Sequence, residues 1–291
     1  MFVDLATVPN MIVAGILTGL VYGLMALGLS VIFGVARVVN FAHGEIMALA
    51  MYVAVFLFVA IGLNPFLAAV PLAAGFFVFG YVLQRTVIHP FVTRPDHIQF
   101  MLLLAIAVIM TNGSLMVFGP DAHSIRLDPL LESVEFGSLL IDRGKLYAAL
   151  IAVTASMALF AFFRFTLTGT AIRACADNGF GAKVVGLDLH RLYALAFGLG
   201  TACVAVAGCV LTVLVDLTPA LGPAYTLLAF VIVIVGGLGS MTGALLGGVL
   251  IGVSEALAGL FISPSAKSMF SFALLILVLI FRPRGLFGNK L

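Results

Sequence analysis

Residues 40–50 read Asn-Phe-Ala-His-Gly-Glu-Ile-Met-Ala-Leu-Ala, a polar knot between two long apolar runs, one before Arg37 and one from 46 to 63. A bilayer core offers no hydrogen-bond partners, so polar side chains and irregular backbone are tolerated there only against protein or a wet cavity. The knot therefore marks a place where a path through a membrane could run.

The rest of the chain fixes the membrane setting. Of 291 residues, 63% are hydrophobic and 9% charged, and mean hydropathy is +1.28. A soluble domain carries roughly a quarter charged residues. Stretches of about 20 apolar residues, each long enough to cross the hydrocarbon core, follow one another with short breaks. The expected fold is an all-α, polytopic helix bundle of about eight to ten spans, some broken, with no separate soluble domain. The spans are placed at 11–33, 43–63, 66–87, 99–118, 146–165, 191–215, 222–238, 243–262 and 267–282. The stretch before Arg37 holds Asp4 and is too long for a signal-peptide core, so it reads as a retained first span.

Basic residues set the orientation. The 164–191 segment carries Arg164, Arg173, Lys183 and Arg191 against Asp177 and Asp188, and the tail adds Arg282, Arg284 and Lys290. The 119–145 loop is richer in acid, with Asp121, Asp128, Glu132, Glu135 and Asp142 against Arg126, Arg143 and Lys145. Hence 164–191 and the C-terminal tail are expected in the cytoplasm and 119–145 outside. A net charge of +2 with no basic-aromatic run gives no pointer to nucleic acid. Cys175, Cys203 and Cys209 match neither a disulfide framework nor a metal site.

Glycine recurs at every fourth position in Gly15, Gly19 and Gly23, and again in Gly239, Gly243 and Gly247, with Gly248 and Gly252 following. Such stripes let helix backbones approach closely. Gly236, Gly237 and Gly239, followed by Ser240, are too dense for an uninterrupted helix. One span is expected to break here and the next to begin. Set beside the 40–45 break, this suggests paired discontinuities along a transport path and an inverted repeat. Asn40, His43, Glu45, Gly236, Gly237, Gly239 and Ser240 are the candidate path residues.

Each polar residue of the knot has two readings. Asn40 would N-cap the helix that carries Glu45. His43 would satisfy orphan carbonyls or line the path. Glu45 would stabilise a helix N-terminus or pair with Arg37, or instead meet a substrate ammonium group. Glu255, inside a later span, needs a partner or a cavity that the sequence does not reveal. No nucleotide-binding loop, nucleophile-base pair or metal-ligand set is present, so an energy source would sit on another chain.

In the 164–191 segment, 171–176 favours helix, Asn178, Gly179 and Gly181 a turn, and 182–185 a further short helix. The segment is either a plain connection or a helix cradled by a soluble partner.

Four elements carry a resemblance. They are Asn40-Phe-Ala-His-Gly-Glu45, Arg173-Ala174 with Asn178, Ala182 and Gly186, Gly236-Gly-Leu-Gly239 with Gly243-Ala-Leu-Leu-Gly-Gly248, and Arg282-Pro-Arg-Gly-Leu-Phe-Gly288. Together they resemble the LivH-type permease subunits of bacterial branched-chain amino acid ABC importers, over essentially the whole chain. The resemblance implies one transmembrane permease domain over 1–291, in the bacterial inner membrane, with no ATPase site of its own. It implies a second homologous permease, two cytoplasmic ATPase subunits that bind ATP, a periplasmic substrate-binding protein and membrane lipid as partners. It also implies that Arg173, Ala174, Asp177, Asn178, Ala182 and Gly186 belong to a coupling element docked on an ATPase. Branched-chain or other hydrophobic amino acids are the first expected substrates. Urea, amides or aromatic acids are the alternative, and a stand-alone secondary transporter or channel a further one.

Overall fold

The computed structural model describes residues 7–92, 94–127, 133–136, 139–262 and 267–288. Asp4, Asp128, Glu132 and Lys290, used above to weigh charge, lie outside the described residues. The helices are α1 (Val8–Ala36), α2 (His43–Ile61), α3 (Pro65–Leu83, continued by a π turn to Ile88 and a 3-10 turn to Phe91), α4 (Asp96–Phe118) and α5 (Arg143–Phe165). Then follow α6 (Leu167–Asp177), α7 (Gly179–Val184), α8 (Leu189–Leu211), α9 (Leu221–Gly236), α10 (Met241–Phe261) and α11 (Lys267–Phe281).

Seven of these are long and apolar enough to cross a membrane, and α9 and α11 are shorter apolar helices. The chain is thus the helical, multi-span bundle expected. One departure is a small hairpin in the 119–145 loop, β1 (Ser133–Phe136) paired antiparallel with β2 (Leu139–Asp142). We call this side of the bundle the hairpin end. The opposite side, with α6, α7 and the tail, is the basic end.

Polar residues at helix starts set the boundaries. Asn64, Asp142, Thr166, Asn178, Asp188 and Ser240 each accept a hydrogen bond from a first-turn N–H, at α3, α5, α6, α7, α8 and α10 respectively.

The glycine stripes meet each other. α1 runs antiparallel along α10, with Gly15 against Gly252 and Val253, and Gly19 and Gly23 against Gly248. A Cβ added to Gly19 would stand 2.7 Å from the Gly248 carbonyl oxygen, inside contact distance. Bare backbones are what let these two helices lie this close. In the same way α3 packs along α8, where the Thr201 hydroxyl of α8 donates to the Phe76 carbonyl at 2.8 Å and fills the space over Gly80.

These pairings obey an exchange rule. If α1–α4 are swapped in order for α8–α11, the pair α1 with α10 becomes α8 with α3. The contacts of α1 with α8 and of α2 with α9 map onto themselves. Five crossings precede α8, so the two sets enter from opposite sides. Such packing is what an inverted repeat produces.

Replacing Gly248 with Val should cost about 1–3 kcal/mol or more through overpacking against Gly23. Gly75→Ala, where an added Cβ meets nothing within 4 Å, should stay within about 0.5 kcal/mol. Thermal melting in detergent, with size exclusion to follow aggregation, checks both.

Candidate functional site

At the end of α1 the chain reverses. Arg37 takes left-handed backbone (φ 53) and its N–H closes on the Phe33 carbonyl. Residues 38–42 then run back among the helices, with Val38, Asn40 and Ala42 enclosed. His43 donates from Nε2 to the Met25 carbonyl at 3.0 Å. Met25 lies roughly 16 Å back along α1 from its end. Helix α2 therefore starts inside the bundle, well in from the basic end.

The first N–H groups of a helix lack partners within it. Asn40 does not supply them, contrary to expectation: the helix starts three residues later, with Ala42 in the cap position. The Asn40 Oδ1 instead accepts from the Ala42 N–H at 3.1 Å and closes the turn that leads in. Thr226 of α9 provides what is missing. Its hydroxyl accepts from the Gly44 N–H at 2.8 Å and donates to the Glu45 carboxylate at 2.9 Å. Glu45 thus sits at the positive end of α2 and bonds to Thr226, not Arg37. Gly44 carries no side chain because the Gly222 carbonyl and Thr226 occupy the space one would need.

The counterpart of the 37–42 break is consequently the 212–220 stretch before α9. It holds a buried Leu217 and pairs with His123 of the hairpin end. The glycine run does something different. Gly236 ends α9, Gly237 and Gly239 take positive φ (110 and 79), and Ser240 caps α10. The Leu286 and Phe287 N–H groups donate to the Val235 and Gly236 carbonyls, both at 2.9 Å. Gly239 rests near Gly34, close to the end of α1. Asn40, His43 and Glu45 are thus brought together, whereas Gly236, Gly237, Gly239 and Ser240 form a separate turn at the basic end. Asn40 and His43 are fully enclosed and Glu45 nearly so, an arrangement that packs helices.

Glu255, unpartnered in the sequence, accepts from Ser271 of α11 at 2.7 Å. Tyr22, Tyr225 and Lys267 gather around it beside two clefts. Thr226, Tyr22 and Tyr225 were missed as site residues; their only signal is a hydroxyl within an apolar run.

At the basic end, α6 buries Gly169, Ile172 and Cys175 and turns Arg173, Ala174 and Asp177 outward. Burial pushes the Cys175 thiol above its usual range, and all three cysteines are buried and free. Asn178 caps α7, so Gly179 and Gly181 lie within the short helix instead of in a turn before it. Asn178 and Gly186 are exposed, Gly186 with φ 86. Ala182 is only 4% exposed and anchors α7 instead of facing outward. What α7 and the residue after it do present are Phe180, Val184 and Val185.

Residues 11–279 match the family described as branched-chain amino acid transport system / permease component. The chain belongs to this permease family. It is 29% identical over 297 residues to the high-affinity branched-chain amino acid transport system permease protein LivH of Escherichia coli K12, covering 94% of each chain. It is likewise 29% identical to the permease protein BraD of Pseudomonas aeruginosa, covering 96% of this chain and 95% of that one. A LivH named as a probable permease from Methanocaldococcus jannaschii is 27% identical over 281 residues, covering 91% of this permease and 88% of the relative. No solved structure matches. The permease is a multi-pass membrane protein, and its relatives are named as transport system permease proteins.

Thr226→Val keeps the shape but strands the Gly44 N–H and takes a donor from Glu45. It should lower stability by about 1–3 kcal/mol, with Thr226→Ser recovering most of the loss. Thermal melting together with hydrogen exchange over 43–46 reads the effect.

Proposed function

We propose that this permease is the membrane-spanning subunit of an ATP-driven importer for branched-chain or other hydrophobic amino acids. The observation that carries this reading is the apolar face at α7. Phe180 is 80% exposed, and Val184 and Val185 are 71% and 76% exposed, on backbone fixed by the Asn178 cap. An ordered apolar patch amid charged residues suits a protein partner better than water. Arg164, Arg173, Lys183, Arg191, Arg282 and Arg284 gather at this end, in keeping with a cytoplasmic side. A soluble ATPase subunit is therefore the fitting occupant, and it would bind the ATP. The complete importer would comprise this permease, a second homologous permease, two ATPase subunits and a periplasmic binding protein that delivers substrate at the hairpin end. The amino-acid substrate follows the printed names of the relatives.

In mechanism, closure of the ATPases around ATP pulls on α6 and α7. Because α6 packs on α1, α5 and α8, that pull reaches α1 and α8, the helices that precede the two breaks. Opposite tilts of the two sets then exchange access between the two sides. Arg173, Ala174, Asp177, Asn178 and Gly186 frame the docking surface, and Ala182 holds it in place.

Phe180→Asp or Val184→Asp should abolish co-purification of ATPase subunits and cut leucine uptake at least roughly tenfold, with permease levels in the membrane unchanged. Wild-type uptake in these variants, or uptake that survives ATP depletion, would refute the importer reading.

A further inference from the structure

We propose that Glu255 and the side chains around it form a transient site for the charged head of a free α-amino acid, in the half of the bundle nearer the hairpin end. The idea rests on the amino-acid reading above and locates where such a molecule would pause inside the permease.

Four helices send a polar group to one point. Glu255 lies on α10, roughly two turns before Phe261, and accepts from Ser271 of α11 at 2.7 Å. Tyr22 of α1 and Tyr225 of α9 stand edge to face, with ring centroids 6.1 Å apart. Tyr22 and Glu255 face the same two clefts, and Tyr225 lines one of them with both. Helical side chains lean toward the N-terminus of their own helix. Since α1 and α10 are antiparallel, Tyr22 reaches toward the hairpin end while Glu255 reaches inward, and they meet. Lys267, at the start of α11, lies over Gly259 of α10 and shares both clefts with Glu255.

Two clefts adjoin at this cluster, and Tyr22, Glu255 and Lys267 line both. One, of about 370 Å³, also reaches Lys145 at the start of α5. The other, of about 330 Å³, is walled by Tyr225, Leu228, Val231 and Phe272. A carboxylate inside a membrane segment is costly unless it is paired or wetted. A carboxylate can accept about four hydrogen bonds, and Ser271 fills one. An ammonium group brings three donors, for which Glu255 and the two tyrosine oxygens are acceptors. The carboxylate of the same molecule would face Lys267 or Lys145 nearer the mouth. A branched aliphatic side chain would lie along Leu228, Val231 and Phe272. Glu255 is only half-buried, which favours weak, quickly released binding, as passage requires. An aminophospholipid headgroup shares the chemistry of an ammonium beside an anion, so the test separates the two sources.

The permease is placed in nanodiscs whose only lipid, phosphatidylcholine, carries no primary amine, and titrated with radiolabelled leucine to about 50 mM. Saturable binding is expected. Glu255→Gln should weaken it roughly tenfold or more, and Ser271→Ala and Lys267→Gln each by a few fold. Isopentylamine, which keeps the ammonium, should compete, and so more weakly should 4-methylpentanoate, which keeps the carboxylate. Absence of saturable leucine binding, or unchanged binding in all three variants, overturns the proposal. So does displacement of bound leucine by phosphoethanolamine but by neither leucine fragment, which would assign the site to lipid. Should Glu255→Gln not elute as a monodisperse species, Lys267→Gln and Ser271→Ala decide the matter. ATPase co-purification is scored separately, so a failed importer reading and a failed binding site are told apart.

Discussion

A helix that begins inside a membrane protein must find partners for its first backbone N–H groups among its neighbours, because no water is there to serve them. In this permease α2 meets that demand with the Thr226 hydroxyl, which serves the Gly44 N–H and the Glu45 carboxylate at once. An unserved buried polar group costs several kcal/mol in hydrocarbon-like surroundings. The break at 37–42 is therefore possible only because α9 stands where it does, and because Gly44 and Gly222 let the two helix starts touch. Met25 adds the second tie, through its carbonyl to His43. The polar knot that interrupts the apolar sequence is the fastening that lets both interrupted helices exist.

Around this fastening the close pairs α1 with α10 and α3 with α8 form two stiff units, each built on bare backbone or a single small side chain. Direct backbone contact leaves few rotamers to rearrange within either pair. The two pairs also meet each other through bare backbone, Gly28 of α1 against Gly200 of α8.

The spans were legible because bilayer thickness dictates their length: 146–165 was read where α5 runs from Arg143 to Phe165, and 222–238 where α9 runs from Leu221 to Gly236. Depth was not legible. Glycine density at Gly236, Gly237 and Gly239 reports that backbones approach one another, but a surface turn and an interior break need such approach equally. The true counterpart of the first break, before α9, leaves only the Thr226 hydroxyl as a trace. Asn40 misled for a related reason, since a cap and a turn that precedes a cap use the same side chain. Glu255 announced that it needed company, but its neighbours come from Tyr22, Tyr225, Lys267 and Ser271, scattered from the first helix to the last. At the basic end Phe180 and Val184 went unnoticed because an apolar residue awaiting a partner reads in one dimension like one already in a core.

The tail completes a junction made long before it. The carbonyls of Val235 and Gly236 at the close of α9 are completed by the N–H groups of Leu286 and Phe287, and Gly285 packs against Gly237. A ribosome makes α9 well before it makes those residues. The junction of α9 and α10 must therefore wait, half-bonded, while α11 is inserted, and the order of synthesis makes the tail a latch that closes after the helices have found their places.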